Sequence, residues 1–299
     1  MQAVQVNQYG GPEVLELAES PDPHAGPGQV RVVVHAASVN PLDYKIRSGA
    51  TAGDGPTSFP VLLGFDAAGV VDEVGEEVTD VRLGDAVFGL GSSTYAERAV
   101  LQHYVTKPDF LDWAEATALA VGGETAIRTL DLLGVTAGHT VLVDGATGGV
   151  GSLAVQIAVA RGARVIGTAS ERNHDYLTDL GATPVRYGEG LVDRVRSVAP
   201  DGVDAVFDVV GATPVTELTS LVSTPSQVVS IANFSAPAAG ARVTSGEEGD
   251  KAAALQTLVE LAGQGKLKVE VRTFPLGDVA AAHELIQQGH VRGKLVLVI

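Results

Sequence analysis

The run Val141-Leu142-Val143-Asp144-Gly145-Ala146-Thr147-Gly148-Gly149-Val150-Gly151 lies mid-chain and constrains the fold more than any other segment. Val141–Val143 is a short apolar run of the kind a parallel sheet buries on both faces. Beyond the glycines, Val150, Leu153, Ala154, Ile157 and Ala158 recur at helical spacing. A strand, a glycine turn and a helix in that order can cradle a dinucleotide. The turn lets a pyrophosphate approach the backbone, and the first helical turn offers it free N–H groups. The Gly-x-Gly-x-x-Gly spacing falls on Ala146, Gly148 and Gly151, so an alanine stands at its first position. An ordinary structural turn is the plainer alternative, since glycine also punctuates loops.

The 299 residues suffice for about two domains. Hydrophobic residues make up 45% and mean hydropathy is +0.20, enough for a large core. No apolar run approaches the roughly 20 residues that span a bilayer. Met1–Val6 lacks a basic segment followed by an apolar one, so a cytoplasmic protein without a signal peptide is expected. The net charge of −16 disfavours nucleic acid and anionic membrane as partners. It also requires any nucleotide site to carry local positive charge. Without cysteine, the chain has no disulfide, no thiol nucleophile and no thiolate zinc ligand. Its seven histidines are scattered and form no metal-binding spacing, so no metal is expected.

The first hundred residues read as β-rich. Val30–His35, Gly69–Gly75 and Asp85–Gly89 are strand candidates bounded by turn residues, which suits an antiparallel or barrel-like module. Near residue 110 the texture changes. Asp112 with Glu115 resembles a helix-capping pair, and helical texture runs to Leu133 with a break expected at Gly122-Gly123. Strands at Val141–Val143, Arg164–Thr168, Ala205–Val210 and Gln227–Ile231 then alternate with helices near 150–161, 172–180, 190–198 and 213–222. Such alternation predicts an α/β fold with a doubly wound parallel sheet. Leu255–Leu261 is an amphipathic helix, and Lys294–Ile299 a closing strand.

Several segments together resemble the zinc-independent quinone oxidoreductase branch of the medium-chain dehydrogenase/reductase family. They are Asn40–Lys45, Gly64–Val71 with Val74-Gly75, Gly84–Gly89, the Gly145–Gly151 turn and Arg292-Gly293-Lys294. They follow the family's order and cover nearly the whole chain. The resemblance implies a GroES-like β-rich catalytic domain with a Rossmann domain inserted into it. Its expected bounds are 1–115 for the first part of the catalytic domain, 116–250 for the Rossmann domain and 251–299 for the return. It also implies a homodimer and hydride transfer to a small quinone or an α,β-unsaturated carbonyl, and the residues after the second strand of the Rossmann domain favour NADPH as the cofactor. Zinc-dependent members carry a His-Glu pair where this chain has Phe65-Asp66. A non-catalytic NADPH-binding sensor and a pathway-specific enoyl reductase are the other readings. A short-chain dehydrogenase is excluded, because no tyrosine has a lysine four residues on.

The cofactor residues expected are Thr147, Gly148, Gly149 and Val150 in the turn, with Ser170, Arg172 and Tyr187 toward the adenosine phosphate. A small hydroxyl and a guanidinium suit a 2′-phosphate. Glu171 would serve an NAD ribose if the register slips by one. By resemblance, Asn40 meets the nicotinamide ribose, Thr125 is a contact at a helix start, and Lys294 approaches the cofactor. For these three the plain alternatives are an Asn-Pro turn, a helix-interior threonine and a solvated strand start. Val209, Val210 and Ile231 would line the nicotinamide through their backbones, their side chains lying in the core. Tyr44 and Asp43 are the candidate proton donors, with solvent as the substitute, and Asp66 is expected to be structural.

Overall fold

The computed structural model describes residues 1–53 and 55–299. The chain divides into two units, Met1–Val121 with Val269–Ile299, and Gly122–Lys268. In the first unit, β1 (Gln2–Val6), β2 (Leu15–Glu19), β3 (Val30–Val39) and helix α1 (Pro41–Arg47) are followed by β4 (Val61–Leu62). Strands β5 (Asp66–Val74), β6 (Ala86–Ser92) and β7 (Arg98–Thr106) lead into α2 (Trp113–Leu132). The second unit carries β8 (Thr140–Asp144), α3 (Gly151–Ala160), β9 (Arg164–Ala169), α4 (His174–Asp179), β10 (Ala182–Arg186) and α5 (Leu191–Val198). It continues through β11 (Ala205–Asp208), α6 (Val215–Thr219), β12 (Val228–Ser230), β13 (Arg242–Val243) and α7 (Lys251–Gly263). The chain then returns to the first unit as β14 (Val271–Pro275), α8 (Val279–Gln287) and β15 (Lys294–Val298).

The first unit holds a sheet ordered β14-β15-β3-β5-β6-β7, and a small sheet ordered β2-β1-β4. An additional antiparallel pairing of β3 with β7 curls the large sheet on itself. Inside the curl pack Val30, Val32, Val71, Val87 and Leu101, all buried. Strand β3 runs four residues beyond the expected end at His35, because β15 supplies an antiparallel partner for Ala36–Val39.

The second unit is a parallel sheet ordered β10-β9-β8-β11-β12-β13. This is the doubly wound order in which the winding reverses between the first and fourth strands, here β8 and β11. Its core joins Leu142, Ile166, Val206, Leu218 and Val228. Strand β11 is shorter than expected at its end and β12 at both ends, since Val209, Val210 and Ile231 already belong to the loops that leave the sheet and Gln227 to the turn that enters it. Strand β10 escaped the sequence reading because Pro184 sits within it. At an edge, pairing with β9 alone, a proline is tolerated.

The expected break at Gly122-Gly123 does not occur. Helix α2 runs through both glycines, started by the anticipated reciprocal pair: Asp112 N–H donates to Glu115 at 3.0 Å and Glu115 N–H to Asp112 at 2.7 Å. The glycines serve close approach instead. A Cβ on Gly123 would stand 2.4 Å from a Leu258 methyl on α7. That contact also places α7 with the second unit, so the unit boundaries fall later than the expected 116 and 251. Among the described residues, no helix is long and apolar enough to cross a membrane.

Overpacking of this kind costs about 1–3 kcal/mol and outweighs the gain from a better helix former. Gly123→Val is therefore expected to lower the urea midpoint of unfolding, and an unchanged or raised midpoint would contradict this account of the glycine.

Candidate functional site

The glycine turn leaves the carboxyl end of β8 at the point where the sheet order reverses. Gly145 has φ of +91°, open to glycine and strained for other residues. Gly151 opens α3 against the turn, where a Cβ would meet the Gly145 carbonyl oxygen at 2.1 Å. At Gly148 a Cβ would meet only that oxygen, at 3.9 Å, so the turn's outer side is open to a ligand. Ala146 takes the first glycine's place without penalty. It is buried, and the residue facing it is Gly167 on β9, where a Cβ would fall 2.8 Å from that of Ala146. Thr168 locks the turn: its hydroxyl accepts from Gly145 N–H at 2.8 Å and donates to Asp144 at 2.6 Å.

Thr147, Gly148, Gly149 and Val150 are all partly exposed along this turn, and among the described residues no side chain caps α3. Ser152 N–H is taken by the Gly148 carbonyl at 2.9 Å, so an anion would be met by the remaining N–H groups of the first turn. Val210, expected in the core, is 55% exposed on the loop after β11, and Ile231 is half-buried after β12. In both cases the strand ends before the residue, which frees the side chain from the core.

A cavity of about 650 Å³ opens beyond β9 and β10, lined by Ser170, Glu171, Arg186, Tyr187, Glu189 and Arg194 among others. Ser170 and Tyr187 both line this cavity, with Tyr187 45% exposed. Arg172 is exposed and does not line this cavity; its place in the wall is taken by Arg186. The Arg186 guanidinium lies 3.7 Å from Glu171. Arg194 holds the wall in shape by donating to the carbonyls of Arg186, Tyr187, Gly188 and Glu189 at 2.8–3.3 Å.

Thr125 lies in the interior of α2, since the helix does not restart at the glycines. Its hydroxyl is 3.4 Å from Glu124 and from Arg128, which form a buried ion pair at 2.8 Å.

The first unit gathers the remaining predicted residues. Lys294, at the start of β15, is 4% exposed and donates to Asn40 Oδ1 at 2.6 Å, which excludes a solvated strand start. Asp66 on β5 is wholly buried and structural: Ser38 N–H at 3.1 Å, the Ser38 hydroxyl at 2.6–2.7 Å and Val121 N–H at 3.2 Å bond its oxygens. Burial raises its pKa against the pull of Lys294, and burial lowers that of Lys294 against the pull of Asp66 and Asp43.

Asp43 does not present itself as a proton donor to a substrate. It is fully buried, and its oxygens accept from Asn40 N–H and the Tyr95 hydroxyl, each at 2.7 Å, and from Gly64 N–H at 3.0 Å. It closes the N-terminus of α1. Tyr44 is half-buried, and its hydroxyl is free of protein partners among the described residues. Of the two candidates, Tyr44 alone offers an accessible proton.

Residues 26–159 match the alcohol dehydrogenase GroES-like domain, and residues 180–297 match the zinc-binding dehydrogenase family. Human quinone oxidoreductase is 34% identical over 327 aligned residues, covering 100% of this chain and 98% of that protein. The chloroplastic NADPH-dependent alkenal/one oxidoreductase of Arabidopsis thaliana is 32% identical, covering 99% and 79% respectively. A mycobacterial protein solved in complex with NADPH superposes with a TM-score of 0.87 at 27% identity, covering 100% of both chains. The chain belongs to the quinone oxidoreductase branch of the medium-chain dehydrogenase/reductase family.

Zinc, which the name of one matched family implies, does not fit this member. The chain has no cysteine, and Asp66 is committed to Ser38 and Val121. Among the described residues no three His, Cys, Asp or Glu side chains are grouped to hold a metal. The nucleotide does fit: a helix without a side-chain cap, an open turn and a cavity wall holding two arginines beside two glutamates are parts it can use.

Burial pushes the Asp43 carboxyl up to about 7, against the pull of the Tyr95, Asn40 and Gly64 donors. A raised carboxyl pKa stabilises the fold fully below the ordinary carboxyl range, and the contribution is lost as pH climbs to about 7. The unfolding free energy of the wild type, taken relative to Asp43→Asn, should thus fall between about pH 4 and pH 7, by at most about 4 kcal/mol. A difference that stays flat or rises with pH would show that Asp43 is ionised throughout.

Proposed function

We propose that the chain is an NADPH-dependent oxidoreductase that reduces quinones or α,β-unsaturated carbonyls by hydride transfer, without zinc and as a homodimer. The observation that carries this reading is the open glycine turn at the reversal of a doubly wound sheet, with Arg186 in the cavity beyond the next two strands. The names of the relatives support both the cofactor and the substrate class.

Bound NADPH would supply the hydride, and the protein's part is positioning and electrostatics. Thr147–Val150 and the start of α3 would receive the pyrophosphate on backbone N–H groups. Ser170, Arg186 and Tyr187 would take the 2′-phosphate. Asn40 would address the nicotinamide ribose. A carbonyl that accepts hydride, directly or through conjugation, develops negative charge on its oxygen, which needs a donor or a proton. The Tyr44 hydroxyl, free of protein partners among the described residues, would give one, and water can replace it.

Two measurements test the reading. NADPH oxidation should be driven by a simple quinone such as phenanthrenequinone and should be unchanged by EDTA; failure of the protein to bind NADPH, followed by nicotinamide fluorescence, would remove it. Loss of a guanidinium–phosphate pair is worth about tenfold or more in affinity. Arg186→Ala should weaken NADPH by that factor and leave NADH nearly unaffected, while Arg172→Ala should have the smaller effect. The reverse ranking would return the phosphate contact to Arg172.

A further inference from the structure

Lys294 is expensive to bury. An ammonium removed from water loses several kcal/mol of hydration unless charges and hydrogen bonds replace it. Its one short hydrogen bond goes to a neutral side chain, Asn40 Oδ1, at 2.6 Å. The sheet imposes this partnership. β15 pairs antiparallel with β3, Leu295 lying opposite Val39, so the next rung brings Lys294 to Asn40 where β3 ends and α1 begins. The groups that favour its charged form are Asp66 on β5 and, when ionised, Asp43 on α1.

An ammonium has three donors and no acceptor, whereas a carboxamide has one end of each kind. Lysine can therefore face only the oxygen of Asn40, and the amide cannot rotate to exchange its ends. The nitrogen is left with long contacts, 3.3 Å to the Ser38 carbonyl and 3.5 Å to the Ser38 hydroxyl. Both are weak, so a better acceptor could take a hydrogen from either of them. Asn40 thus presents a donor, and the group it can serve is an acceptor oxygen.

We propose that Lys294 is a positioning residue that holds the Asn40 carboxamide by its oxygen, so that only its N–H end is left to recognise a ligand, and Asn40 serves a ligand oxygen as a hydrogen-bond donor in place of the weak Ser38 contacts. The inference rests on the reading that Asn40 addresses the nicotinamide end of NADPH. It narrows that contact to one polarity and assigns the polarity to a lysine that itself touches no substrate.

The test is a double-mutant cycle on NADPH-dependent quinone reduction, with NADPH affinity and thermal unfolding measured alongside. Asn40→Ala should lower kcat/KM by about tenfold, the scale of one lost hydrogen bond. Lys294→Met should do the same, and the double variant should lose little more than the worse single one. Lys294→Arg, which restores a cationic donor, should recover most of the loss. Additive losses, or a fully active Lys294→Met, would overturn the proposal. Should Lys294→Met fail to fold, Asn40→Asp decides: it keeps the bond to Lys294 but removes the N–H donor. It should then be as damaging as Asn40→Ala, and wild-type kinetics would refute the donor role. If Asn40→Ala is silent while the wild type reduces quinones, the pinning idea falls and the enzyme reading stands. If the wild type binds no NADPH, both fall.

Discussion

The pairing of β15 with β3 is the constraint on which the first unit depends. It joins the last strand to one near the start of the chain, in fixed register, across the whole of the second unit. Without it, the end of β3 would expose a row of unpaired backbone groups, and β14 would have no strand to dock on. The same register gives Asn40 its lysine. Fold closure and the chemistry of the first unit therefore share one set of hydrogen bonds.

In the second unit the governing constraint is contact between backbone and backbone. Gly151 lets α3 start against the Gly145 carbonyl, and Gly167 leaves room for Ala146. The first removes a side chain where two main chains meet, the second where the Ala146 methyl needs the room. The alanine in the glycine pattern is not a weakened version of the motif. The missing space has been moved to the neighbouring strand.

What could be read from the residues alone was what local chemistry encodes. The β8–turn–α3 unit was legible because its apolar periodicity and its glycines are contiguous. The Asp112–Glu115 cap was legible for the same reason. Gly122 and Gly123 misled, since a glycine pair signals a break locally while Leu258, far along the chain, needs the room. Arg186 went unnoticed because its strand contains a proline and pairs on one side only. The bond between Lys294 and Asn40 spans 254 positions, a distance over which no local pattern informs. Asp43 looked available because a turn aspartate usually is; Tyr95 and Gly64, which enclose it, come from other parts of the fold.

The second unit is one contiguous segment, whereas the first is split around it. During synthesis this sets an order of events. Residues 122–268 can complete their sheet as soon as they emerge, because every strand partner lies within the segment. In the first unit β3, β5, β6 and β7 can pair beforehand, but the Ala36–Val39 end of β3 lacks its β15 neighbour until residues 269–299 arrive. Domains generally fold as units, and unpaired edges invite association with other chains. The nascent protein therefore passes through a stage in which the second unit is finished while the end of β3 is still a bare edge, and that interval is when another chain can most readily add to it.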